Sequence, residues 1–590
     1  MVTTGFARDR IPPIRRLTVI SNCAQNPGCV TFVNNRGVGT LPGQHTSFWG
    51  EVMTQTKAHT SKLDVVVVGA GFAGMYLLHR LRGLGFNVRV FDAASGVGGT
   101  WYWNRYPGAR CDVRSLDYSF SFDKELEQEW EWSEKFATQP EILRYANHVA
   151  DRYNLWPDMQ FNTRIESQTY NDATERWTVT TSAGDVIDAQ HVVLAVGTLS
   201  TPKLPEIKGI ETFKGAWFQT QKFPKEGVNF LGKRVAVIGT GSSAIQSSPE
   251  IAKTCKQLTI FQRTPNFSFP AGNRPLGRDE VDEMKKVYPA YRQTARQSFF
   301  GQPAEEPTQS ALEVSAEERN ARYQAGWDAG QLVGILGAYT DILYDKAAND
   351  TVAEFVRSKI REIVKDPVTA EALCPYNHPV GTKRPCLDTG YYNTFNMPHV
   401  RLVDLKKTNI VEITETGIKT TAESMDFDII IYATGFDAMT GSILKIDVTG
   451  RNGLKLGDVW QDGPSTYLGL GVHGFPNMFT VTGPQSPSVL SNMMVSIEQH
   501  VDWITDCITS MRDKGYKSIE ATEQAQKDWV EHTYEIGQTT LYPLADSWYM
   551  GANVPGKPRV FLPYIGGVGP YREKCDEVAK NNYEGFALAK

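Results

Sequence analysis

Residues 63–74, Leu-Asp-Val-Val-Val-Val-Gly-Ala-Gly-Phe-Ala-Gly, leave this chain few folds to choose from. Four consecutive valines are too apolar for a strand with one wet face and suit one buried on both faces of a parallel sheet. The glycines follow at once. Gly69 permits a tight turn out of the strand, Gly71 lets a pyrophosphate approach the backbone, and Gly74 lets a helix over 72–84 pack close to the sheet. A second strand, 87–91, ends in Asp92, about 20 residues past the glycines, where a carboxylate accepts from a ribose hydroxyl. A lone GxGxxG is weak, but strand, turn, helix, strand and terminal acid in one unit predict a bound dinucleotide.

The pattern returns at 234–244, Arg-Val-Ala-Val-Ile-Gly-Thr-Gly-Ser-Ser-Ala, with Gly239, Gly241 and Ala244 in the fingerprint positions and Ser242 opening the helix. The strand that follows, 258–261, ends in Gln262-Arg263-Thr264-Pro265 instead of an acid. An acid there favours NAD, whereas an arginine accommodates the 2′-phosphate of NADP. Arg263, with Thr264 as a hydroxyl donor, therefore predicts NADP(H). The expected fold is α/β, with two Rossmann-like dinucleotide-binding domains, one for FAD and one for NADP, and a helical insertion.

With 590 residues the chain exceeds one hydrophobic core. The FAD domain is expected over 61–195 and 434–590, the NADP domain over 196–270 and 380–433, and the helical insertion over 271–379, clearest at 347–364. Strands 191–196 and 427–432 run into Ala195-Val196-Gly197 and Ala433-Thr434-Gly435, two crossings that predict one interdomain cleft. A net charge of −5 offers no nucleic-acid footprint. No apolar run reaches the roughly 18 residues of a membrane helix.

The eight cysteines form no CxxC and no metal-ligand spacing, which disfavours a disulfide reductase and fits a reduced, cytoplasmic protein. Residues 1–60 are read as a disordered N-terminal extension. In the first fifty, Arg8, Arg10, Arg15, Arg16 and Arg36 stand against Asp9 alone. Mitochondrial targeting, or a true start at Met53, stays open, although Pro12, Pro13, Pro27 and Gly28 interrupt any amphipathic helix.

Several blocks then carry a resemblance in order: Gly-Gly-Thr-Trp-Tyr-Trp-Asn-Arg-Tyr-Pro-Gly-Ala-Arg-Cys-Asp at 98–112, the segment 262–265, Gly-Thr-Lys-Arg at 381–384, and the segments 433–441, 486–500 and 547–557. Over 62–590 the chain resembles the Baeyer–Villiger monooxygenases, in particular the phenylacetone and steroid monooxygenase type. The resemblance implies that NADPH reduces FAD, that O₂ forms a C4a-peroxyflavin, and that a ketone becomes an ester or lactone. It implies Arg384 as the permanent cation of the site and Asp112 as the carboxylate that orients it. It further implies Gly99, Trp101 and Tyr118 beside the flavin, Lys383 on the NADP phosphate and Trp548 as a lid over the nicotinamide. The partners are a small-molecule ketone and O₂, and the chain is compatible with a monomer.

The family fingerprint Phe-x-Gly-x-x-x-His-x-x-x-Trp departs here: Phe213, Gly215 and Pro224 match, but Gln219 and Phe223 replace the His and Trp. Gln cannot carry a proton charge and Phe lacks the indole N–H. Two alternatives therefore stand beside ketone oxidation: N- or S-oxygenation, and an uncoupled NADPH oxidase or FAD/NADP-binding module. The loop 483–493 is expected to line the substrate pocket, with Gln485 narrowing it.

Overall fold

The computed structural model describes residues 60–590; the expected N-terminal extension lies, but for Thr60, outside the described residues. The strand Thr60–Val68 sits in the first sheet between Val88–Phe91 and Val186–Leu194, parallel to both. Its valines divide as period-two geometry requires. Val65 and Val67 enter the core under the helix Phe72–Gly83, and Val66 and Val68 enter the one around Trp177 on the other face. Antiparallel strands Arg176–Thr181 and Ile165–Asn171 extend the sheet past Val186–Leu194. The chain returns from 434 onward to add Asp447–Thr449 and Met478–Thr480 to this same sheet.

The second sheet is wholly parallel, ordered Val400–Asp404, Gln257–Gln262, Arg234–Ile238, Ile429–Tyr432, Ala216–Gln219. The two fingerprint turns are built alike. Gly69 has φ +108°, and a Cβ there would stand 2.4 Å from the Ala195 carbonyl oxygen; Gly239 has φ +120°, and its Cβ would stand 2.3 Å from that of Ala433. Each crossing strand thus closes against the glycine turn of its own sheet, and only a residue without a side chain fits there.

The insertion comprises helices Arg278–Gln297, Ala316–Ala329, Leu332–Leu336, Lys346–Ile363 and Pro367–Leu373. Three start on side-chain caps, with Ser315, Asp345 and Asp366 accepting from Glu318, Ala348 and Thr369 amides. The sequence placed this segment within or beside the second unit, but the structure shares it between both cores. Val281 joins the first core, Tyr288 donates to the Leu116 carbonyl at 3.1 Å, and buried Arg292 pairs with Glu127 at 2.8 Å. Tyr323, Trp327, Val352 and Val356 belong to the second core. Among the described residues no helix is long and apolar enough to cross a membrane, and no three His, Cys, Asp or Glu group as for a metal.

Candidate active site

A cavity of about 560 Å³ opens where the two sheets present their strand ends. Gly69, Gly71, Asp92, Gly99, Trp101, Asp112 and Tyr118 line it from the first domain, Ser242 and Arg384 from the second, and Trp548 from the C-terminal loop. Gly74 lies outside the lining and serves packing: a Cβ there would stand 1.8 Å from the Gly69 carbonyl oxygen.

The donors at the first fingerprint suit a dinucleotide. Gly99, at φ +52°, approaches Gly71 so closely that a Cβ on it would stand 2.9 Å from the Gly71 Cα. The helix Phe72–Gly83 begins with no side-chain cap and no acid in its first turn, so its leading amides are left for an anion. Asp92 accepts from the Ala94 and Ala70 amides at 2.7 and 2.6 Å, one on each oxygen, and keeps lone pairs for a ribose. Burial pushes its pKa up, against the pull of those two amides. Trp101 donates through Nε1 to the Tyr118 hydroxyl at 3.1 Å, with the two rings edge to face.

Arg384 joins the domains. Its Nε and Nη2 donate to Asp112 Oδ2 and Oδ1 at 2.7 and 3.0 Å, and its Nη1 donates to the Val489 carbonyl at 2.8 Å. About a quarter of each side chain stays open (27% and 22%), on the cavity side. Desolvation works against the guanidinium charge, but Asp112 and the neighbouring Tyr549 outweigh it and hold the pKa well above the ordinary value. These three bonds leave up to two of the five N–H groups for something else, with the buried Tyr549 hydroxyl beside them.

The second fingerprint repeats the first. The helix Ser242–Ala252 also starts uncapped and without an acid, and nothing lies within 4 Å of a Cβ built on Gly241. Arg263 is exposed at the strand end, and the Thr264 carbonyl accepts from the Thr240 hydroxyl at 2.6 Å, which ties the strand end to the glycine turn. Lys383 donates to the Asp546 carbonyl, and burial followed by Arg263 lowers its pKa from the ordinary lysine value.

Sequence reasoning missed Lys203, whose pKa is lowered by the same two causes and whose ammonium donates to the Asn553 carbonyl. Its signal was a lone cation in the polar crossing 198–205. Through Lys203 and Lys383 the loop carrying Trp548 is fastened over the second domain, and a Lys557–Asp437 pair at 2.8 Å ties it to the segment that follows the second crossing.

Two expectations meet different surroundings. Phe223 is buried against Phe218, ring centroids 5.2 Å apart, within the second core. Gln219 is buried at the end of an edge strand, and the residues that reach the cavity are Gln221 and Lys222. Gln485 does not narrow the pocket. Its Oε1 accepts from the Thr466 amide and hydroxyl, both at 2.8 Å, and its Nε2 donates to the Pro464 carbonyl, because a buried amide turns to where its hydrogen bonds can be met. Val489, Ser491 and Met493 are the members of that loop that line the cavity.

Residues 66–284 match the family described as pyridine nucleotide-disulphide oxidoreductase. The six described cysteines are all buried and free, so the likeness is one of nucleotide fold, without a dithiol. A Baeyer–Villiger monooxygenase of Pseudooceanicola batsensis is 41% identical over 531 residues, 90% of this chain and 96% of the relative. The chain belongs to the Baeyer–Villiger monooxygenase family. The solved structure of an oxidized steroid monooxygenase bound to NADP is 51% identical, with a TM-score of 0.87 over 90% of this chain and 100% of that one. A phenazine N-monooxygenase of Lysobacter antibioticus is 42% identical over 528 residues, 89% and 97% of the two chains.

Proposed function

We propose that this protein is an NADPH- and O₂-dependent flavoprotein monooxygenase that converts ketones to esters or lactones. The observation that carries the reading is Arg384, gripped by Asp112 and the Val489 carbonyl at the cavity wall, its charge held and up to two N–H groups left over. FAD, once bound, supplies the oxygen chemistry and NADPH the hydride that recharges it. Gly71, Gly99 and the amides that begin Phe72–Gly83 would hold the FAD pyrophosphate and Asp92 its ribose, and Trp101 and Tyr118 would offer apolar surface to the flavin. The uncapped start of Ser242–Ala252, with Gly239 and Gly241, takes the NADP pyrophosphate, and Arg263, Thr264, Lys383 and Lys203 take its 2′-phosphate.

Arg384 then stabilises negative charge on oxygen in the cavity. Because a guanidinium does not give up its proton, that oxygen stays deprotonated and nucleophilic toward a carbonyl carbon. Trp548, on its fastened loop, excludes water. The lining by Val481, Val489, Met493 and Ile497 suits a small to medium apolar ketone, fused rings included.

The test is aerobic turnover of the FAD-loaded enzyme with NADPH and a panel of cyclic, aryl and fused-ring ketones, with ester, NADPH and hydrogen peroxide measured together. Ester in step with NADPH supports the reading; peroxide in step with NADPH, with no ester from any ketone, overturns it. N-oxygenation is the second reading, favoured by the phenazine relative. An N-heterocycle oxidised in preference to every ketone would establish it.

A further inference from the structure

Left-handed backbone at residues other than glycine gathers beside the cavity: Thr482 has φ +53°, Gln485 +66° and, on the turn packed against them, Leu468 +59°. For Thr482 this conformation is the most costly, because its β-branched side chain crowds the backbone. Thr482 is also the member of the three that lines the cavity. Strain persists only where surroundings over-determine it.

A buried chain of hydrogen bonds does so here. The Thr482 amide donates to His500 Nδ1 at 2.8 Å. Since Nδ1 accepts, the imidazole hydrogen must sit on Nε2, which donates to the Tyr571 hydroxyl at 3.0 Å. Tyr571 passes its own hydrogen to the Leu468 carbonyl at 2.5 Å. Every hydrogen of the relay is thereby assigned. His500 is 0% exposed and Tyr571 1%, and neither lines the cavity. Burial, helped by Arg572, pushes the imidazole pKa down to about 3, so the ring is neutral.

We infer that His500 is a positioning residue of the active cavity: it holds the Thr482 peptide left-handed, and Tyr571 fixes the tautomer that lets it do so. The inference takes from the proposed function only that this cavity holds the flavin. Without the Nδ1 acceptor the Thr482 amide is buried and unpaired, and the peptide relaxes toward negative φ, moving Val481 and Thr482 in the wall.

The experiment compares His500→Asn, His500→Gln, Tyr571→Phe and the double variant His500→Gln/Thr482→Gly, each normalised to bound FAD. Readouts are the visible absorbance and circular dichroism of the flavin, which need no ketone, and kcat and KM for a ketone. His500→Gln and Tyr571→Phe should shift the flavin spectra and lower kcat about tenfold, the effect of one buried hydrogen bond lost. Asn keeps an acceptor near the Nδ1 position and should restore both readouts. Glycine adopts positive φ freely, so the double variant should recover as well. Wild-type flavin spectra in His500→Gln, or a defect that Thr482→Gly does not relieve, overturn the inference. A wild-type enzyme that makes no ester would instead count against the proposed function, while the flavin spectra still decide on His500.

Discussion

Replacing Arg384 with Met keeps volume and removes charge, and the structure sets the size of two separate consequences. For catalysis, the loss is at most the two N–H groups left after Asp112 and Val489 are served. Hydrogen bonds to a charged partner contribute about 1.5–3 kcal/mol each, so the pair amounts to about 3–6 kcal/mol, or roughly 10²–10⁴ in rate. For stability, removing one member of a buried ion pair costs about 3–5 kcal/mol. Asp112 keeps 22% of its surface open to the cavity, where water can solvate it, so we expect only about 1–2 kcal/mol and a fall in Tm of no more than about 4 °C. The assay follows from the contrast. The variant should hold FAD, be reduced by NADPH without air, and in air return the electrons as hydrogen peroxide with almost no ester. Ester at the wild-type rate would remove Arg384 from the chemistry; loss of FAD would show that the arginine holds the fold together instead.

Arg263→Ala should weaken NADPH by about 10- to 100-fold and NADH hardly at all, which binding titrations of both nucleotides would read; an equal loss for both contradicts the phosphate assignment. Lys383, with its pKa lowered by burial and Arg263, loses its ammonium at a pH below the usual lysine value, so NADP⁺ affinity should fall as pH rises through that lowered value. The unfolded chain binds the proton more tightly, so this same group makes stability rise with pH across the interval between the two values. Lys383→Met should shrink the alkaline fall in affinity, and an unchanged fall would clear Lys383 of the role. Phe223→Trp should lower stability by about 1–3 kcal/mol in thermal or denaturant unfolding, since a larger side chain would be forced into a buried position of the second core, without raising the ester made per NADPH. Better coupling in that variant would give the missing indole a function.

What could be read from the chain was what local geometry determines. Gly69 and Gly239 were legible because a turn with positive φ admits little else, and Asp92 and Arg263 because each ends a strand whose position the fingerprint sets. The insertion's helices were legible from periodicity, but not the core that Arg278–Gln297 would join, since its Val281, Tyr288 and Arg292 face read equally well against either domain. Gln485 misled because a polar residue in a pocket loop looks like a lining residue until Thr466 and Pro464 are known to be beside it. The partner of Lys203 and the His500–Tyr571 relay were invisible for the same reason: Asn553 lies 350 positions from Lys203, and Tyr571 lies 71 from His500. No spacing rule reaches that far.

The departure at Gln219 and Phe223 is best weighed by what the structure asks of those positions. A histidine that titrates matters where it meets a group that changes charge, and an indole where its N–H meets an acceptor. Here position 223 is enclosed by aromatic and aliphatic side chains, and position 219 closes an edge strand whose neighbour is Tyr432. Joints between the domains include Arg384 on Asp112 and Val489, the Thr434 hydroxyl on the Lys203 carbonyl at 2.6 Å, the lysines that fasten the Trp548 loop, the Tyr106 hydroxyl on Gln246 at 2.8 Å and, two residues past Phe223, the Lys225 ammonium on the Ser95 hydroxyl at 3.0 Å. Gln219 and Phe223 make none of these contacts themselves. We therefore expect the altered fingerprint to act through packing at the margin of the second sheet, beside the Lys225–Ser95 contact.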